Sequence, residues 1–484
     1  MSTKPTIRSR REFLAASTWG MGTVALAHLL RGDRLLAAPP GPPKPGENLP
    51  YDLKPRIPQL QAKATSVISL FMHGGPSHVD LFDPKPALSQ KHGKDYEGDI
   101  HFSFVNRASK KLFGTPWKFK QHGQCGTAIS ELLPHTASIV DDISLIRSMH
   151  TGHNGHEVSI RYFHGGRAAQ LGRPTLGSWI VYGLGSVAQN LPAYMVLSDP
   201  GGHPVDGTHN WTSGFMPPLY QGTVLRPQEP RILNLDAPPQ LRGPLQQQNL
   251  EMLKWLNDRH LADRPGEAEL DARIQSYELA AQMQTAATEA LDISKEPEHI
   301  HKLYGLDQNH TREYGTRCLI ARRLVERGVR FVQLFLGNQP WDSHNDIRTG
   351  LPEICRRTDQ PAAALVTDLK QRGLLETTLV HWGGEIGRLP VSEGDLNEKA
   401  GRDHNGQGFS IWMAGGGIKG GLAYGETDEV GHRAVTNIVT PNDFQATVLH
   451  QLGIDHHQLA YHANGTTQKL IDDPKAKVVR DLLV

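Results

Sequence analysis

The feature that most limits what this chain can become is the alternation in its last third. A helix predicted over Thr311–Arg327 stops at Gly328, and an apolar run over Val329–Leu336 follows. A second predicted helix, Pro361–Gln371, stops near Gly373, and the next apolar run, Thr378–Trp382, ends in Gly383-Gly384. A third run, Phe409–Met413, precedes Gly415-Gly416-Gly417. Thr440-Pro441 then opens a helix that stops at Gly453, with the hydroxyl at the N-cap and proline at the first helical position. Short apolar runs separated by glycine-terminated helices predict an α/β fold, a mostly parallel sheet with helices on both faces. In such sheets the ligand site lies beyond the carboxyl ends of the strands.

The first half supplies more strands of the same kind. Ser66–Met72 reads as the first, followed by the turn His73-Gly74-Gly75-Pro76-Ser77-His78-Val79-Asp80. Ile143–Ile146 reads as another, leading into His150-Thr151-Gly152-His153-Asn154-Gly155-His156 and a predicted helix that runs to Gly165-Gly166. Pro174–Gly183 is predicted helical and Ala193–Ser198 extended. A Gly/Pro-rich insertion near 200–230 carries His203, Asp206, His209 and Trp211, candidates for a substrate-facing lid. Near 240–292 the period is helical, with Leu270, Ile274, Tyr277 and Ala281 on one stripe, which reads as packing.

Chemistry concentrates at the predicted strand ends. After the Thr378 strand come Glu385 and Arg388, and soon afterwards Arg402-Asp403-His404; after the Val329 strand comes Trp341-Asp342-Ser343-His344. Carboxylates, imidazoles and guanidiniums in glycine-rich turns are the ingredients of a divalent-metal or phosphate/sulfate-type anion site. The rival reading is a salt-bridged, glycine-rich loop. His153, Asn154 and His156, at a predicted helix start, would face a substrate oxyanion.

The chain opens with Ser9-Arg10-Arg11-Glu12-Phe13-Leu14 and a diluted apolar stretch to Leu30, the pattern of a twin-arginine export signal. Residues 1–38 are read as that signal and 39–60 as a proline-rich linker, leaving 61–484 as one α/β domain that is periplasmic or secreted. No later run is long and apolar enough to span a membrane. Basic and acidic residues nearly cancel, 51 against 50, which removes the electrostatic case for nucleic acid. The three cysteines, Cys125, Cys318 and Cys355, are scattered and point neither to a thiolate zinc site nor to a disulfide framework.

The strings FMHGGPSHVDLFDPKP, RPTLGSWIVYGLG, WDSHNDI, GRDHNGQG, AGGGIKGGLAYGETDE and NDFQATVLHQLGID, in that order after a twin-arginine signal, resemble the domain of unknown function 1501 family over roughly residues 60 to 475. That family is similar in turn to sulfatases and the alkaline phosphatase superfamily. The resemblance implies a sulfatase-like α/β fold and a divalent metal (Zn, Ca, Mg or Mn). It assigns Asp342, His344, Glu385, His404, His73 and Asp80 as metal ligands. Arg388 and Arg402 would hold the anion, with His153, Asn154 and Asp403 beside the substrate. The partner implied is a small anionic ester or a sulfated glycan. Where sulfatases carry a nucleophilic Cys or Ser, this chain has Gly155 or His156, neither a hydroxyl nor a thiol. His156 is therefore expected to be a neutral, metal-facing imidazole, with a nucleophilic role or a metal-activated water as the alternatives.

Overall fold

A computed structural model describes residues 48–49 and 51–484 apart from 104–108, 236 and 265–266. The expected export signal, residues 1–38, lies outside the described residues, as do residues 39–47 and 50 of the expected linker. The fold below is that of the unit spanning residues 50–484. No helix among the described residues is long and apolar enough to cross a membrane.

Its centre is an eight-stranded sheet. In chain order the strands are β1 (Ser66–Phe71), β2 (Ile143–Met149), β3 (Tyr194–Leu197), β4 (Thr223–Leu225), β5 (Phe331–Phe335), β6 (Thr378–Gly383), β7 (Phe409–Ala414) and β8 (Leu422–Tyr424). Their spatial order is β8-β2-β7-β6-β1-β5-β3-β4. β1 pairs in parallel with β5 and β6, and β3 in parallel with β4 and β5. β7 alone runs antiparallel, to both β2 and β6. A parallel crossover needs a helix or an equally long return. The Glu385–Gly408 connection contains no helix, so the chain comes back beside β6 in the opposite sense.

The central strands are buried on both faces, as parallel strands must be. Ile68, Leu70, Val332, Leu334 and Val380 belong to one core cluster with Leu319, Ala321 and Leu365. Leu319 and Ala321 lie on helix α5 (Asn309–Glu326), and Leu365 on helix α6 (Ile347–Gln371). On the other face Phe71 packs on Phe163, which stacks on His381 and Phe444. Phe163 comes from helix α1 (His156–Gly165) and Phe444 from helix α7 (Pro441–Gln451); helix α2 (Leu176–Leu184) packs against β3 and β5 on this side.

Two expectations need correction. α6 does not start at Pro361 but runs 25 residues, through Pro352 and Pro361. Its buried alanines and leucines lie against α5, and that packing offsets the hydrogen bonds the prolines remove. The helical insertion forms α3 (Pro244–Ala262) and α4 (Ala268–Leu291), but Tyr277 is 67% exposed. The inward stripe of α4 is Leu279, Met283, Ala286, Ala287 and Ala290. Ile274 of the expected stripe is buried, but small alanines supply most of the core-facing side and Tyr277 points away from it. The Gly/Pro-rich stretch near 200–230 holds two short 3-10 turns and the edge strand β4.

Candidate metal centre

Every loop that the sequence marks as chemical emerges at the same edge of the sheet. β1, β2, β5 and β6 run in one direction, and their carboxyl ends lead to His73, His156, Asp342 and Glu385; antiparallel β7 is entered from that edge through His404. Close backbone approaches make this convergence feasible. Gly74 has φ +109°, and a Cβ on it would lie 2.7 Å from the Asp342 amide nitrogen. At Gly401 a Cβ would stand 2.1 Å from the His344 carbonyl carbon.

Four side chains meet around one oxygen. Asp342 Oδ1 lies 2.9 Å from His344 Nε2, 3.2 Å from His404 Nε2 and 3.5 Å from His156 Nε2. The Nε2 atoms of His344 and His404 are 2.9 Å apart. Behind each ring, Nδ1 is tied to a different group. His156 Nδ1 donates to Glu385 Oε1 at 2.6 Å, His344 Nδ1 bonds Glu393 Oε2, and His404 Nδ1 shares a hydrogen bond of 3.1 Å with Ser103 Oγ.

These residues fit a divalent cation. His156 Nε2 and His344 Nε2 both face the Asp342 oxygen, and neutral rings whose single N–H is used at Nδ1 toward Glu385 and Glu393 have no proton left to offer it. His156 Nε2 is buried and lacks a hydrogen-bond partner. A dication at tetrahedral bond lengths of about 2.0 Å has ligand edges of about 3.3 Å, close to the three distances from Asp342 Oδ1; the donor atoms that all lie within 4.8 Å of one another form two overlapping sets, His156-Asp342-His404 and His344-Asp403-His404. Rings anchored through Nδ1 by carboxylates, with Nε2 turned inward, are how ligating histidines are held.

Without a cation the cluster holds protons instead. Burial raises the Asp342 carboxyl, but the three imidazoles beside it and the Arg388 charge outweigh it and hold it far below the usual range. Burial opposes charge on His156, yet Asp342 and Glu385 prevail and push it up to about 9; His344, between Asp342 and Glu393, rises to about 8. Burial wins at His404, which falls to about 4 despite Asp342. The two flanking carboxylates thus favour the imidazolium form of His156 in the cation-free chain, while the neutral ring expected from the sequence belongs to a metal-facing His156.

The other expected residues fall elsewhere. Glu385 stands behind His156 and accepts from the Gly74 amide at 3.1 Å. Asp80 is paired with Arg402 at 2.7 and 3.0 Å, both side chains fully buried, and takes the Ser77 hydroxyl at 2.5 Å. Arg388 bonds the carbonyls of Gly74, Gly75 and Arg402 as well as Asp342. Both arginines are committed to internal partners, so the structure does not bring them to a substrate anion. His73 is buried with Nδ1 unpartnered, its ring 6.1 Å from that of His156.

Asp403 accepts from the amides of Ser103 and His404, and its carboxylate comes within 4.8 Å of His344 and His404 donor atoms. Asn154 bridges the Gly406 amide and the His101 carbonyl, while the His153 side chain is exposed. Thr151 and Ser159 direct their hydroxyls to the His153 carbonyl. Glu393 and Ser103 escaped sequence reasoning. The alternation of Asp99, His101 and Ser103 with Ile100 and Phe102 is a signal that could have marked Ser103.

The family model described as protein of unknown function (DUF1501) matches residues 64–483. No curated protein matches the chain. Among solved structures, a sulfatase from Pseudoalteromonas sp. is 11% identical with a TM-score of 0.33, covering 80% of this chain and 68% of its own. A phosphonate monoester hydrolase from Silicibacter pomeroyi is 12% identical, TM-score 0.31, covering 87% and 76%. Alkaline phosphatase from the Antarctic bacterium TAB5 is 11% identical, TM-score 0.30, covering 77% and 97%. Overlaps this weak carry no argument about chemistry.

Proposed function

The chain belongs to the DUF1501 family, and for this member we propose an exported, divalent-cation-dependent hydrolase of phosphate or sulfate esters. One observation carries the reading: three imidazoles, each held through Nδ1, turn Nε2 toward a single Asp342 oxygen at the carboxyl edge of the sheet. Asp342, His156, His344 and His404 would hold the cation, and Glu385 and Glu393 would orient two of the rings. A bound cation supplies charge stabilisation to an ester oxygen and a more acidic water. Water is the nucleophile this site favours, because the hydroxyls of Thr151 and Ser159 are turned to backbone carbonyls. Export rests on the Arg10-Arg11 signal pattern.

A second reading, a binding protein that recognises sulfated glycans or an exported partner, is favoured by one specific fact. Gly155 and His156 stand where a nucleophilic hydroxyl or thiol would be, and the nearby Thr151 and Ser159 hydroxyls are turned to backbone carbonyls. Turnover of a panel of aryl phosphates and aryl sulfates by zinc- or manganese-loaded protein separates the two. The hydrolase predicts turnover that disappears in Asp342→Asn. Tight cation binding with no turnover of any ester would replace it with the binding protein.

A further inference from the structure

α3 is built inside out. α4 turns Met283, Ala287 and Ala290 to the domain core, and α3 lies against α4, where Gln246 bonds Gln284 and Lys254 Nζ meets Glu278 at 2.9 Å. The half-buried residues of α3, Gln246, Leu250, Asn257 and Leu261, recur at i, i+4, i+11 and i+15 and so form its inner face. Half of that face is polar. The outer face is not: Leu245, Met252 and Leu256 recur at i, i+7 and i+11, flanked by Leu253 and Trp255, and all five are between 44% and 54% exposed. A helix that turns its apolar stripe to water while polar groups face its neighbour leaves its larger hydrophobic gain unrealised. The five side chains make a patch on the order of 500 Å², near the upper end of what a monomer exposes. The charges beside the patch say what fits it. Glu251, Trp255 and Arg259 stand four residues apart in one ridge along its edge, with the Arg259 guanidinium 5.8 Å from the Trp255 ring centroid. The ridge is acidic at one end, aromatic at its centre and basic at the other, and is complementary to itself turned end for end.

We propose that the outer face of α3 is a homodimer interface, on which a second copy of this chain packs its own α3 antiparallel about a two-fold axis at Trp255. Such an axis brings each Glu251 to the second copy's Arg259, two ion pairs around an apolar centre of Met252, Trp255 and Leu256. Acids and bases balance along this stretch, Glu251 and Asp258 against Lys254 and Arg259, so the face lacks the basic rim that an anionic membrane surface selects. The apolar patch is more than half of the roughly 800 Å² per partner of a standard interface, and Gln248, Asn249 and the ion pairs extend it, which makes the dimer concentration-dependent. No residue of α3 belongs to the imidazole cluster, so the inference stands apart from the cation reading.

Sedimentation velocity of the full chain over a wide range of protein concentration tests the proposal. The parent should pass from one to two chain masses as concentration rises. Met252→Lys should stay monomeric with an unchanged melting temperature, since a half-exposed position contributes little to the fold. Arg259→Glu and Glu251→Arg should each weaken association at least about tenfold, because each sets like charges opposite one another. Mixing those two variants should restore association, since each then meets opposite charge in the other. A parent that is monomeric throughout, or a dimer that Met252→Lys leaves intact, overturns the interface. Charge variants that associate as the parent does, or a mixture that fails to associate, overturn the two-fold axis at Trp255. A monomeric parent that co-sediments with phosphatidylcholine vesicles gives the face to a lipid surface instead.

Discussion

Arg388 and Arg402 show how far a residue's type is from its role. Both were legible as cations at strand ends, yet only coordinates reveal that their donors are consumed by Gly74, Gly75, Asp342 and Asp80. Histidines divide in the same way. His164 and His381 lie on the face opposite α5 and α6, within an aromatic cluster with Phe163 and Phe444. Burial drives His164 down to about 4 against a hydrogen bond that its Nδ1 donates to Asn210 Oδ1, and drives His381 down to about 3, with His164 adding to the effect. Both are neutral when folded and titrate near 6.5 when unfolded, so the unfolded chain takes up protons first. Their contribution to stability is complete above pH 6.5 and is lost as pH falls toward 4, by up to about 1.4 kcal/mol per pH unit for each group. His381→Phe, placed between two phenyl rings, should flatten the fall of the melting temperature between pH 6.5 and 4.5. Parallel curves for parent and variant would remove His381 from the account. At this scale the proposed ligands were readable from their turns, Asp342 and His344 after β5 and His404 in the glycine-rich turn that leads into β7. Glu393 was not, because it reaches His344 from an irregular connection that no periodicity marks.

Among the elements, those that were readable carry their own punctuation. α7 is the best case: Thr440 Oγ1 accepts from the Asp443 amide at 3.2 Å, and Asp443 returns to the Thr440 amide at 2.9 Å, a complete capping box with Pro441 at the first position. Thr440→Ala should therefore cost about 1 kcal/mol, seen as a lower denaturation midpoint with the cation site intact. An unchanged midpoint would mean that burial of the α7 face alone fixes the helix. α6 and α4 were misread for opposite reasons. In α6 tertiary packing overrides two prolines, and in α4 the buried stripe is built of alanines too small to dominate a hydrophobic pattern. The reversed direction of β7 has a sequence correlate after all. Residues 385–408 are too polar and glycine-rich for a crossover helix, and β7 pairs antiparallel with β6 after them.

The whole molecule places its chemistry by topology. Four parallel strands and one antiparallel strand bring residues from His73 to His404 to one edge, and glycines let the backbones approach closely enough for side chains over 240 positions apart in the chain to touch. The sheet was foreseeable from alternating runs and helices. The depth of the site was not, since it depends on which backbone packs against which. The central claim is that Asp342 and its three imidazoles hold a divalent cation. Calorimetric titration of chelator-stripped protein with zinc tests it most directly, comparing the parent with Asp342→Asn, which keeps the shape and removes the charge. The account predicts a saturable site in the parent and at least about tenfold weaker binding in the variant; no heat of binding in the parent, or equal affinity in both, would contradict it.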